Sequence, residues 1–161
     1  MDDFDRRHEL YAEYCGELNS FRGENETPVG MFEMYENCEE YFKAPDCTWH
    51  DVFMDGQIIG FIIVGHHAPY AHPSSDYSIC EAYIRPEYRK RGLMTSVVRS
   101  VVEDCPGRYS LLVLDNNQYA KAFWNKVFSS MRYVPYDLDM DCVDSHGDHV
   151  CVFGFKPGGG C

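Results

Sequence analysis

The stretch Tyr83-Ile84-Arg85-Pro86-Glu87-Tyr88-Arg89-Lys90-Arg91-Gly92-Leu93-Met94-Thr95-Ser96 reads as the end of a strand, a short basic turn closed by glycine, and the start of a helix. That order gathers several backbone N–H groups and the cations Arg85, Arg89, Lys90 and Arg91 around one point. A helix N-terminus carries unpaired donors and partial positive charge, so it suits a phosphate. The surrounding chain is acidic, with a formal net charge of −12. The four cations therefore form an island of positive charge, which fits an anionic small molecule.

Working outward, Ser78 to Ile84 is the strand that feeds this turn, and Leu93 to Asp104 is the helix that leaves it. The helix carries Met94, Val97, Val98, Val101 and Val102 on one face, and Cys105-Pro106-Gly107 stops it. Ser110 to Leu114 is a buried-type strand. Asn116-Asn117 caps a following helix that carries Ala120, Phe123, Trp124, Val127 and Phe128. Upstream, Trp49 to Met54 and Gln57 to Val64 form a hairpin around the turn dipeptide Asp55-Gly56. Gly65 to Asp76 is a loop punctuated by Pro69 and Pro73. Two helices precede the hairpin. One spans about residues 3–21, with Leu10, Tyr11, Tyr14, Leu18 and Phe21 at helical spacing. The other starts with Thr27 as cap and Pro28 in the first turn, carries Met31, Tyr35, Cys38 and Phe42, and ends near Ala44-Pro45. A late hairpin joins Tyr133–Cys142 to His149–Phe155, and such a hairpin can pair between two copies of the chain. The tail from 158 to 161 is expected to be unordered. No repeat or linker divides the chain, so residues 1–157 are expected to form one domain.

Composition narrows the function. The negative charge argues against nucleic acid and anionic membranes as partners and favours a cationic acceptor by steering. No apolar run approaches a bilayer-spanning length. The acidic start Met1-Asp2-Asp3-Phe4-Asp5 lacks the features of an export signal, so a cytoplasmic location is expected. The eight cysteines are widely spaced, without a Cys-x-x-Cys pair, and are read as reduced thiols rather than a disulfide framework or a zinc site. Cys142 and Cys151 can face each other across the late hairpin. His66, His67 and His72 cluster in one loop without helical spacing. They are read as surface residues first, acceptor contacts second and metal ligands last.

The pattern Arg89-x-x-Gly92-x-Met94, preceded by Ile84-Arg85-Pro86-Glu87-Tyr88, resembles the acyl-CoA-binding motif of the GCN5-related N-acetyltransferases, the GNAT superfamily. Met94 stands where that family usually has a small residue. A second match is Asn117-x-x-Ala120-x-x-x-Trp124, which is similar to the family's Asn-x-x-Ala-x-x-x-Tyr. Together the resemblance covers roughly residues 49–136. It implies an α/β (α+β) fold with a mixed, mostly antiparallel sheet flanked by helices and splayed between its fourth and fifth strands. The two N-terminal helices resemble the pair that walls the acceptor side, and the strand that usually precedes them is not evident. The resemblance further implies acetyl-CoA as cosubstrate. Backbone contacts to pantetheine would come from Ala82, Tyr83 and Ile84. Pyrophosphate contacts would come from Arg89, Lys90, Arg91, Gly92, Leu93, Met94 and Thr95, and Asn117 and Trp124 would flank the pantetheine arm.

The expected activity is N-acetylation of a primary amine on a small molecule or peptide, by direct attack in a ternary complex. In relatives the Trp124 position is often a tyrosine that protonates the leaving thiolate. An indole N–H donates hydrogen bonds but is no usable acid. Tyr119 lies off that helix face, while Tyr133 and Tyr136 stay open as substitutes. For the general base, strand alternation puts Asp76, Ser78 and Cys80 on one face and Glu81 on the other, and Asp76 is favoured. Two other readings stay open: a GNAT-type module that senses acyl-CoA without turnover, motivated by Trp124, and an interaction protein whose glycine turn is incidental.

Overall fold

A computed structural model of the chain describes residues 3–22, 27–138, 144 and 147–159. Two helices lead, α1 (Asp3–Asn19) and α2 (Met31–Lys43), followed by β1 (Cys47–Met54), β2 (Gln57–Gly65) and β3 (Tyr77–Ile84). Then come α3 (Leu93–Asp104), β4 (Tyr109–Leu114), α4 (Gln118–Ser130), β5 (Tyr133–Pro135) and β6 (Val150–Pro157). The six strands lie in the order β1-β2-β3-β4-β6-β5. Only β3 and β4 run parallel; the other neighbours are antiparallel.

The sheet is covered on both faces, which explains the nearly unbroken apolar run Ile58-Ile59-Gly60-Phe61-Ile62-Ile63-Val64 of the central β2. On one face α1 and α2 bury Leu10, Tyr11, Cys15 and Cys38 against Phe61, Ile63 and Tyr83. On the other, α3 and α4 bury Val98, Val101, Val102, Trp124, Val127 and Phe128 against Ile62, Val64, Ile79 and Leu111. Phe128 stacks on Phe155 at 4.3 Å between centroids and carries this core across to β6.

Most predicted boundaries hold to within two or three residues, because local chemistry sets them. Asp55 and Gly56 both take positive φ, 50° and 76°, as a two-residue hairpin turn requires. Ala44 is extended ahead of Pro45 and ends α2. The start of α2 differs from expectation. It begins after Gly30, and Thr27-Pro28 lie ahead of it. The Asn19 side chain accepts from Val29 N–H and donates to Val29 C=O, at 2.9 and 3.1 Å, which holds Val29 out of the helix.

Among the described residues no strand precedes α1, so the sheet's divergence falls between the third and fourth strands of this chain rather than the fourth and fifth. The late hairpin has a short first arm, although Tyr136 N–H still donates to Gly154 C=O. Cys142 lies outside the described residues, and with it the suggested pairing with Cys151. Gly158 N–H donates to Arg132 C=O at 2.9 Å.

One buried ion pair joins the helical layer to the start of β6. Arg22 Nε donates to Asp148 Oδ2 at 2.9 Å, and Asp148 is 1% exposed. Arg22 Nη1 also donates to Asn19 Oδ1 at 2.7 Å. Removing one partner of such a pair strands the other charge in the interior. Arg22→Ala is expected to cost about 3–5 kcal/mol of stability, read from urea unfolding. A loss below about 1 kcal/mol would mean that water reaches Asp148.

Candidate functional site

β3 and β4 pair only at Tyr77–Tyr109, Ser78–Ser110 and Ile79–Leu111. Beyond that point they separate, and β3 keeps only its antiparallel ladder to β2. A buried hydroxyl cluster pins the apex: Ser110 Oγ meets both Ser75 Oγ and Ser78 Oγ. The divergence opens a cavity of about 740 Å³. Cys80–Ala82, Leu112–Leu114, Asn117, Ala120 and Trp124 line the sheet and α4 side. Tyr11, Tyr14, Arg22, Glu40, Tyr41 and Tyr70 line the side of the two leading helices.

The turn after β3 forms a backbone cradle at the start of α3. Gly92 caps α3 in the left-handed region, φ 73° and ψ 10°, and Lys90 also has positive φ, 63°. The first bond of the helix runs from Ser96 N–H to Gly92 C=O, so the amides of Leu93, Met94 and Thr95 precede it, and Gly92 supplies no side-chain cap. Met94 does not crowd this cradle; its side chain packs inward beside Val97.

Two cations of the basic island are occupied. Arg89 binds the Glu17 carboxylate through both Nη atoms, at 2.6 and 2.7 Å, and the Ile84 carbonyl through Nε. Arg85 binds Glu13 in the same two-pronged manner. These pairs fix the turn to α1, while Lys90 and Arg91 remain exposed.

The other predicted residues divide similarly. Ala82, Asn117 and Trp124 come together on the cavity wall. Asn117 Oδ1 accepts from Ala120 N–H at 3.1 Å and so caps α4. Trp124 is buried against Phe123 and Phe128. The side chains of Tyr83 and Ile84 point into the cores, so only their backbone can face a ligand.

Asp76 does not join them. It is exposed, accepts from Arg108 N–H at 2.7 Å and pairs with the Arg108 side chain; these contacts, the backbone one first, hold its carboxyl below the usual range. Tyr133 is buried beside Tyr109 and Phe128, and Tyr136 donates to Ser74 C=O. Neither lines the cavity. Of the loop histidines, His66 meets Thr48 Oγ1, His67 pairs with Asp46, and His72 reaches the cavity wall.

Among the acids that line the cavity, Glu81 sits deepest between the sheet and the leading helices, on the face opposite to the one strict alternation gives it. β3 bulges at Cys80: Ile63 pairs with Glu81 and Val64 with Ile79, leaving Cys80 as the extra residue. Cys80 and Glu81 therefore both turn toward α1 and α2. Tyr14 Oη donates to Glu81 Oε2, and Tyr41 Oη donates to Oε1 at 3.2 Å. Burial pushes the Glu81 carboxyl up to about 7, against the downward pull of the two tyrosine hydrogen bonds and Arg22. Burial, and after it the negative charge of Glu81, push Tyr14 and Tyr41 well above an ordinary phenol. A sequence signal existed: Glu81 is the lone carboxylate in the apolar run Ile79 to Ile84.

Comparison with known proteins gives this arrangement its class. The family model for the acetyltransferase (GNAT) family matches residues 7–129. An acetyltransferase from Thermus thermophilus superposes with a TM-score of 0.64 at 15% identity, over 94% of this chain and 89% of that one. The PaiA N-acetyltransferase of Thermoplasma acidophilum, solved with coenzyme A, gives 0.60 at 16% over 96% and 92%. The diaminobutyrate acetyltransferase EctA of Paenibacillus lautus, solved with L-2,4-diaminobutyric acid and coenzyme A, gives 0.58 at 15% over 96% and 89%. No curated protein matches the chain. The chain belongs to the GNAT acetyltransferase family, and its sheet, with the parallel β3–β4 pair, has the GNAT fold. Among the described residues no helix is long and apolar enough to cross a membrane.

Proposed function

We propose that this chain transfers an acetyl group from acetyl-CoA to a primary amine by direct attack in a ternary complex, with Glu81 as the proton acceptor. The observation that carries this reading is Glu81 itself, an acid with its carboxyl raised to about 7, held by two tyrosines where β3 leaves β4. The cradle at Lys90–Thr95 suits the pyrophosphate, with the exposed Lys90 and Arg91 as its cations. The freed edge of β3 at Ala82–Ile84 suits the amide groups of pantetheine, with Asn117 and Trp124 opposite. The coenzyme A complexes of PaiA and EctA support the same cosubstrate here.

In the reaction the amine nitrogen attacks the thioester carbonyl and loses a proton to Glu81. The C–S bond then breaks and CoA leaves as thiolate. Trp124 offers that thiolate no proton, but a thiol pKa near ~8.5 makes it a fair leaving group unaided. The acceptor amine enters from the side of α1 and α2, where the tyrosines hold Glu81.

The test is CoA release from acetyl-CoA with an amine panel across pH. Below its pKa, Glu81 carries its own proton and accepts none, so kcat/KM is expected to fall as pH drops through about 7. A profile without that inflection would contradict the assignment. The buried indole at Trp124 favours one rival, an acyl-CoA sensor, which would bind acetyl-CoA and release no CoA with any amine.

A further inference from the structure

Two of the carboxylates that line the cavity, Glu81 and Glu40, stand at opposite ends of one tyrosine pair. At the inner end Tyr41 Oη donates to Glu81 at 3.2 Å. At the outer end Tyr70 Oη donates to Glu40 Oε1 at 2.8 Å, and this bond is the main reason the Tyr70 phenol is pushed up to about 12. The Tyr41 and Tyr70 rings lie 6.0 Å apart, tilted by 51°. Glu40 is exposed, whereas Tyr41 is half-buried, so the pair runs from the mouth inward. Arg22 is the cation on this wall, and its charge is matched by Asp148 at 2.9 Å, with Nη1 turned to Asn19.

From this arrangement we infer that the acceptor is a diamine: one amine reacts at Glu81 while the second, as an ammonium ion, is held at the mouth by Glu40 and the faces of Tyr41 and Tyr70. The inference rests on the reading of Glu81 as the base. Three features of the wall support it. A single amine engages the inner carboxylate alone and makes no use of the negative charge that Glu40 holds at the mouth. An ammonium beside Glu40 gains a charge-assisted hydrogen bond and ring contacts of the cation–π kind. A carboxylate in the same place meets Glu40, and the nearby guanidinium is already engaged. The acceptor therefore carries a second cation and no anion near it, as in a diaminoalkane or a longer polyamine.

The test compares diaminobutane with butylamine, the same chain with and without the second amine, and with aminobutyrate, which has a carboxylate in its place. CoA release is measured with wild type and with Glu40→Gln, a surface change that keeps a hydrogen-bond acceptor for Tyr70. In wild type, kcat/KM is expected to be about tenfold or more higher for diaminobutane than for butylamine, and lowest for aminobutyrate. In Glu40→Gln the diamine-to-monoamine ratio is expected to fall toward one, chiefly through KM. Equal turnover of diaminobutane and butylamine by wild type would overturn the diamine inference and leave Glu81 as base intact. A ratio unmoved in Glu40→Gln would also overturn it. CoA release with none of the three amines, despite acetyl-CoA binding, would overturn both readings.

Discussion

Glu81→Gln is expected to lower kcat/KM for amine acetylation by about 10²- to 10⁴-fold, the range general-base removal usually produces. Acetyl-CoA affinity should stay near that of the wild type. The substitution is close to isosteric, and the amide oxygen still accepts from a tyrosine that now meets Glu81. What disappears is the proton acceptor. The loss should therefore appear at every pH above about 7, and the inflection of the wild-type profile should vanish with it. Steady-state CoA release and calorimetric titration with acetyl-CoA separate the two effects. A loss of binding would assign Glu81 a role in holding the cosubstrate instead.

The second large effect is expected at the glycine turn. Gly92→Asp should weaken coenzyme A binding by at least about tenfold, for two physical reasons. The position has φ 73°, where a Cβ costs roughly 1–2 kcal/mol. The new carboxylate also stands where, on the proposed reading, the first amides of α3 would face a phosphate, and two like charges there repel. Packing is not the reason, since no atom lies within 4 Å of an added Cβ. The fold should survive, with a thermal midpoint lowered by a few degrees, about 2–8 °C for that cost in a chain of this size. Gly92→Asn carries the same shape without the charge and tolerates the left-handed region better than most residues. It should bind coenzyme A more tightly than Gly92→Asp. Equal weakening by both would put the whole effect in the backbone, and unchanged affinity in both would remove the cradle from the cosubstrate site.

The turn and its helix were legible in the sequence because their chemistry is local. Gly92, the apolar face from Met94 to Val102 and the stop at Cys105-Pro106 bound α3, and Asn117 caps α4 by its own side chain. The division of the basic island was not legible. Arg85 and Arg89 meet Glu13 and Glu17, which stand one helical turn apart on α1 and far away in the chain. Nothing near residue 85 announces that two of four cations are already matched. The placement of Glu81 was not legible for a different reason. Alternation along a strand holds only while the ladder is regular, and one bulge at Cys80 moved Glu81 to the face of α1 and α2. Its partners Tyr14 and Tyr41 come from two helices whose packing on the sheet no local pattern encodes. Asp76 looked suitable because parity was counted through that bulge, and Arg108, its actual partner, is brought alongside only by the parallel pairing of β3 with β4.

The most direct test of the account is CoA release at saturating acetyl-CoA with diaminobutane, followed across the pH range around 7 in wild type and Glu81→Gln. The account predicts a wild-type rate that climbs through an inflection near about 7, and a variant that binds acetyl-CoA but stays about a hundredfold or more slower without that inflection. Equal rates and the same pH profile in the two proteins would contradict it.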